Sequence, residues 1–367
     1  MTVRLVLALL VGVAAHAASA QVEVEGPGGL AVRLAGTVQP RVSFGAEDTT
    51  MVSDEAGRRE RFGFGLRRAR FEARVVWRGR VGLEFDVDGA SGEVRPVDMY
   101  GVAFLGAHVQ VRAGRVPGAQ PRGSVATSHR EIDAVERAAI IGRWADGTLG
   151  GSGRDIGLDV QYERGPVFAE LFVHDGSGVF SRDRANFREG IESPSVTGGA
   201  DRVGLALSGA ARFAPPAWGG AEAGAYASVN PRGNARTARD GVWRGYTSAG
   251  AHVYWGAEPG SRPVRLKLDV VATAYEATPA GGRRQSAGVS GLAAVRVLGH
   301  GEAFGRAERY WPDAGPAEGY LTGGLSYSPS AAAGERYRTV RLTLAYARRD
   351  VAGAEAHLAV LQGQFAF

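Results

Sequence analysis

Arginine and carboxylate side chains recur at every second position in several stretches of this chain. Arg33 and Arg41 do so after Leu30. Arg68, Arg70, Glu72 and Arg74 follow, then Glu84, Asp86 and Asp88, and later Arg112. A guanidinium is a permanent planar cation that donates paired hydrogen bonds to oxyanions. Such rows on neighbouring elements either set up a field across a wet space or neutralise one another as cross-strand pairs. For any single residue, neutralisation is the commoner outcome. A second concentration of cations lies in the connection 116–154, where Arg130, Arg137 and Arg143 occur. A connection of that length is well beyond an ordinary loop and points to a binding or narrowing role.

Other chemistries are excluded. There is no cysteine, hence no disulfide framework, thiolate site or cysteine nucleophile. The histidines form no H-x-x-x-H or H-x-H pair, so no metal is expected. Asp86-x-Asp88-Gly89 lacks the glycine and glutamate spacing of an EF-hand. No serine stands in a G-x-S-x-G frame. Lys267 is the only lysine and follows Leu266, which excludes a phosphate-binding Walker loop. No catalytic residues and no cofactor are expected. The pI of 9.7 would suit nucleic acid, but acidic residues are interspersed throughout, so no nucleic-acid partner is expected.

The elements that carry these side chains read as strands. Val32, Leu34, Val38, Val42 and Phe44 alternate with polar residues, as do Phe71, Val75 and Trp77, then Val81, Leu83, Phe85 and Val87. Further segments follow the same period, such as Leu266, Leu268 and Val270 against Arg265, Lys267 and Asp269. About 16 segments are expected, an even number as in single-chain bacterial barrels. Alternation is weaker near 94–105, 246–255 and 302–310. Short connections (78–80, 106–107, 164–166, 299–301) alternate with long ones (46–61, 116–154, 175–200, 230–245), as the two rims of an up-and-down barrel require. A mean hydropathy of −0.12 excludes a helical membrane bundle but not a barrel.

Both ends agree. Arg4, the apolar run Leu5–Ala15 and Ala18-Ser19-Ala20 read as a secretory signal peptide over 1–20, leaving a single barrel domain over 21–367. The last residues, Leu361-Gln362-Gly363-Gln364-Phe365-Ala366-Phe367, form a period-two strand. Its terminal aromatics, Phe365 and Phe367, suit a barrel-closing assembly signal in the interfacial girdle. The fold expected is thus all-β: a transmembrane antiparallel up-and-down β-barrel in the bacterial outer membrane. Its apolar phase would face lipid. Arg33, Arg41, Arg68, Arg70, Arg74, Arg112, Glu72, Glu84, Asp86 and Asp88 would line the lumen. The connection 116–154 would fold inward as a constriction, with Arg130, Arg137 and Arg143 contacting anions. An outer lid is the other reading of that connection.

The run Phe64-Gly65-Leu66-Arg67-Arg68-Ala69-Arg70-Phe71-Glu72 with Gly82-Leu83-Glu84-Phe85-Asp86 resembles the early hairpin of the phosphate-selective porin O and P family. So do Val111–Pro117, Val135–Ala138, Gly153–Gly157 and the C-terminal tail. The resemblance implies a homotrimeric 16-stranded barrel that passes small inorganic anions such as phosphate or polyphosphate. Its partners would be outer-membrane lipid and, during assembly, the barrel assembly machinery. The lysine-rich mouth of such proteins is absent here. A general non-selective porin, and a plugged structural or adhesive barrel, stay open as alternatives.

Overall fold

The computed structural model describes residues 22–48, 58–148, 153–176, 205–236, 243–276 and 284–367. The expected signal peptide (1–20) and residues 177–200 of the long connection 175–200 lie outside the described residues.

Among the described residues, seventeen strands form one sheet. They are β1 (Val22–Gly26), β2 (Leu30–Asp48), β3 (Arg58–Trp77), β4 (Val81–Asp88), β5 (Arg95–Phe104), β6 (Val109–Val116), β7 (Asp155–Arg164) and β8 (Val167–His174). Then come β9 (Ala206–Phe213), β10 (Ala221–Arg236), β11 (Trp243–Trp255), β12 (Val264–Tyr275), β13 (Arg284–Val297) and β14 (Gly301–Trp311). The last are β15 (Glu318–Tyr327), β16 (Val340–Val351) and β17 (Ala354–Ala366). Strands β2 to β17 each pair antiparallel with their chain neighbours, and β17 pairs with β2, so sixteen strands close into a barrel. Closure satisfies the backbone without leaving an edge, as lipid requires. The seventeenth, β1, was not among the expected strands. Its Val-Glu-Val-Glu alternation folds back along the start of β2, with Val22 opposite Leu34.

The C-terminal strand seals the wall. Gly36 donates to the Phe367 carbonyl at 2.7 Å, and Phe367 donates back to Gly36 at 3.0 Å. The Phe367 ring lies directly over Gly36, where a Cβ would overlap it. Gly36→Val should therefore displace the ring. The expected result is slower barrel closure, read as unfolded protein persisting on a heat-modifiability gel. Folding at the unaltered rate would remove the close approach as an explanation for this glycine.

The outer face is a band of exposed aliphatics, including Leu83, Leu158, Leu171, Leu268, Leu325 and Leu344, each 47–64% exposed. So large an apolar surface has no reason to persist in water. Exposed Trp77, Phe213, Trp218, Trp255, Tyr327 and Phe367 gather at the rim that carries the C-terminus. Amphipathic rings at strand ends are the girdle pattern of a membrane barrel. This rim also carries the turns 78–80, 105–108, 165–166 and 298–300. Loop parity has two exceptions. The β15–β16 connection on this rim is long and contains a short helix, α2 (Pro329–Ala332), while the β16–β17 turn on the opposite rim is only Ala352-Gly353.

The hydrophobic core lies inside the barrel. The β6–β7 connection carries helix α1 (Ala139–Thr148). Ile140, Ile141, Trp144 and Ala145 of α1 pack on Tyr226, Val271 and Tyr310 of the wall. Ahead of the helix, Ala134 and Val135 pack on Leu292, Ala294, Phe304, Ala345 and Val360. The inner face was expected to be charged and wet; over β10–β17 it is partly apolar because the loop docks there.

Candidate functional site

Three ion clusters pin the β6–β7 connection inside the barrel. On β2 and β3, Arg130 donates to Thr37 Oγ1 at 2.7 Å and to Glu72 at 3.0 Å, and Glu136 receives Arg41 at 3.0 Å and Arg67 Nη2 at 2.7 Å. On β12, Asp133 bonds Arg265 at 2.5 Å and Lys267 at 2.7 Å, and Glu302 of β14 grips Arg265 at 2.6 and 2.7 Å. On β15, Arg143 donates to Glu318 at 2.8 Å, and on β11 Trp144 Nε1 donates to Ser248 at 3.0 Å. The strand partners all belong to the inward phase, so the loop lies within the lumen and crosses it.

Local geometry explains why these arginines reach inward. Strict alternation would put Arg67 on the lipid side. The β2–β3 register shifts between Gln39 (opposite Arg68) and Pro40 (opposite Leu66), leaving Arg67 as an extra residue. A bulge re-aims a side chain, and Pro40 has no N–H for the ladder. The consequence is two consecutive arginines on the inside. Pro40 within a strand was the available signal.

The expected lumen residues mostly face in and are paired. Arg70 contacts Asp86 at 3.1 Å and Asp88 at 3.4 Å, and Arg74 approaches Glu84 at 3.7 Å. Arg112 bonds Asp159 at 2.7 Å and Glu170 at 2.9 Å, and Arg68 donates to Gln39 at 2.8 Å. Glu72, Asp86 and Asp98 stand side by side across β3, β4 and β5. Arg33 departs from the set: it is exposed, on the β1–β2 extension beyond the barrel-closing contact. Phe365 and Phe367 lie on the closing strand, as described.

Arg130, Arg137 and Arg143 are not brought together. Arg130 is bound to β2 and β3, and Arg143 to β15, three strands from β2 around the closed wall. Arg137 donates to the backbone oxygens of Ser124 at 3.0 Å and Thr127 at 2.6 Å. It lines a cavity of about 320 Å³ with Arg67, Arg68, Arg70 and Arg154, against two carboxylates, Asp88 and Glu136. Burial, then the guanidiniums of Arg68, Arg154, Arg70 and Arg67, pull Arg137 down to about 9. Burial, then the guanidiniums of Arg70, Arg68, Arg130 and Arg137, push His129 well below the usual histidine range, so it is neutral at pH 7. Burial raises Glu136, but Arg67, Arg68 and Arg41 outweigh it and hold the carboxyl low.

A second cavity, about 290 Å³, lies under the loop between β6 and β12. Arg112, Arg122, Arg212 and His252 line it against Glu170 and Asp269.

One further arrangement was invisible in the spacing. Asp155 Oδ2 lies 2.7 Å from His174 Nδ1, and His174 Nε2 lies 2.8 Å from Ser208 Oγ. This is the connectivity of a Ser–His–Asp hydrolase. All three are at most 2% exposed, none lines either cavity, and Ser208 donates its hydroxyl to Ser228 at 2.8 Å. The chain of bonds ties β7, β8, β9 and β10 together and offers no room for a substrate.

No protein-family model and no curated protein matches the sequence. The structure is similar to the anion-selective porin from Comamonas acidovorans, with TM-score 0.66 and 16% identity over 92% of this chain and 100% of that one. It is also similar to the outer membrane channel DcaP of Acinetobacter baumannii, with TM-score 0.58 and 13% identity over 94% and 99% of the two chains. Pseudomonas putida OprB matches with TM-score 0.55 and 11% identity over 91% and 94%. A closed sixteen-strand antiparallel barrel, a lipid-type outer face and these likenesses together give the chain the fold of Gram-negative outer-membrane porins.

Proposed function

We propose that the chain is an outer-membrane porin, a passive diffusion channel that prefers small inorganic anions, with phosphate among its solutes. It works without catalysis or cofactor. In this reading residues 1–20 direct export, the barrel assembly machinery inserts the chain among outer-membrane lipids, and three copies associate.

The observation that carries the anion preference is the 320 Å³ cavity, where five guanidiniums face two carboxylates. The bonds of Arg137 go to carbonyl oxygens, so its charge is not cancelled by a directly bonded carboxylate. An entering oxyanion exchanges part of its hydration shell for guanidinium hydrogen bonds. Binding has to stay weak for the solute to leave. The phosphate reading rests on the sequence resemblance and on this cavity.

Reversal potential in a KCl gradient across a planar bilayer tests the reading. The expected sign is that of an anion-preferring channel, and Arg137→Glu shifts it toward cations. Wild-type preference for cations would overturn the proposal. Phosphate titrated against chloride then separates a phosphate site from a general anion path.

A further inference from the structure

The two polar cavities share one lining side chain. The larger is bounded by the middle of β3 and by α1, toward the long-loop rim. The smaller is bounded by Gln161, Phe168, Arg212 and His252, near the strand ends at the short-turn rim. Val125 is the residue common to both linings.

Among the described residues, other parts of the loop and the inner turns dock against the wall. On the β12–β16 side, the contacts of Ala134 and Val135 and the buried Asp133–Arg265–Glu302 cluster fill the space. Below them two inner turns meet, with Tyr337 lying against Gly260. Arg338 of the same turn pairs with Glu131 of the loop.

We propose that the two cavities are successive chambers of one solute path, and that Val125 is the apolar pinch between them that sets the size of solute passed. This deepens the channel reading and rests on it. The valine is held in place rather than carried on a loose tip. Arg122 donates to the Ala126 carbonyl at 3.1 Å and to Glu222 on β10 at 2.8 Å. Arg137 grips the carbonyls on either side, at Ser124 and Thr127. Behind Val125 stands Gly153, at φ +64, where a Cβ would come within 3.2 Å of the valine methyl.

A short apolar constriction between wetted chambers resists water and ions alike, and a small change in its width has a large effect. At roughly 30 Å³ per water, a chamber of about 300 Å³ holds on the order of ten waters. The solutes that fit are inorganic oxyanions and small carboxylates, not disaccharides. The cationic outer chamber collects them, and the mixed inner chamber releases them.

The chain has no cysteine, so a thiol at this position is unique. Val125→Cys is purified folded and recorded in a planar bilayer. A negatively charged methanethiosulfonate reagent is then added. The expected result is at least a five-fold fall in single-channel conductance, restored by reductant. Val125→Gly is expected to raise conductance about two-fold and to admit disaccharide in liposome swelling. Labelled protein, verified by its mass shift, that conducts as before overturns the pinch, as does Val125→Gly indistinguishable from wild type. If the wild type itself passes no current, the channel reading fails instead.

Discussion

Excising residues 119–152, with the ends rejoined by a short Gly-Ser linker, is expected to raise single-channel conductance several-fold and to let disaccharides through. The proposed path runs through cavities of about 290 and 320 Å³, whereas a sixteen-strand wall without its loop encloses a wide aqueous lumen. The excised segment holds four arginines and four carboxylates, so formal charge does not change. A gain in conductance would therefore report width rather than net charge. The proposed anion preference is expected to shrink as well, because the cavity lined by Arg137 is lost. The deletion also strips cover from Tyr226, Val271, Leu292, Phe304 and Tyr310, and it removes buried Ile140, Ile141 and Trp144. Each large apolar side chain left in water costs about 1.5–3 kcal/mol. Lower thermal stability is expected, but the strand ladder remains and the barrel still closes. Equal conductance in single-channel records of the deleted and complete chains would show that the loop does not limit the path.

The second large effect is expected at Asp133. Its two oxygens hold Arg265, which is fully buried, and Lys267, which is 9% exposed. Truncating one partner of a buried ion cluster leaves an uncompensated charge and costs about 3–5 kcal/mol. Arg265 keeps Glu302, so most of the penalty falls on Lys267. Asp133→Ala should lower the denaturant midpoint clearly, and Asp133→Ala with Lys267→Met should recover part of the loss. A double variant no more stable than the single one would place the cost elsewhere, in the packing of Ala134 and Val135. The pH dependence follows in sign. Burial raises the Asp133 carboxyl, but Lys267 and Arg265 outweigh it, so its value lies below the ordinary carboxyl range in the folded chain. The stability it contributes is complete above the unfolded value near 4 and is lost as pH falls through the folded one. Asp133→Ala should therefore lose less stability than wild type on acidification below pH 4. Parallel acid titrations of the two proteins would settle this.

Some of the apolar inner patch had a trace in the sequence. Val271 follows Val270, so the inward phase of β12 turns apolar after Arg265, Lys267 and Asp269. Phe304 on β14 and Leu292 on β13 likewise sit at inward positions. An apolar residue on a wet wall means that something covers it, but the pattern does not say what. Arg67 carries the same lesson. One bulge opposite Pro40 changed the side of the wall it faces, and with it the composition of the cationic chamber.

Legible in the order of residues were most of the barrel strands, an even count near sixteen and their apolar outer phase, but not β1. These follow from period-two alternation and turn length, which are properties of near neighbours. What the loop does depended on closure of the wall. Gln39 and Gln364 meet 325 residues apart at 2.8 Å, and Arg130 bonds Glu72 across 58 residues. Such contacts exist only once the wall has closed. The partner of each loop cation, and the single valine at which two chambers meet, are set by that closure and by no local spacing.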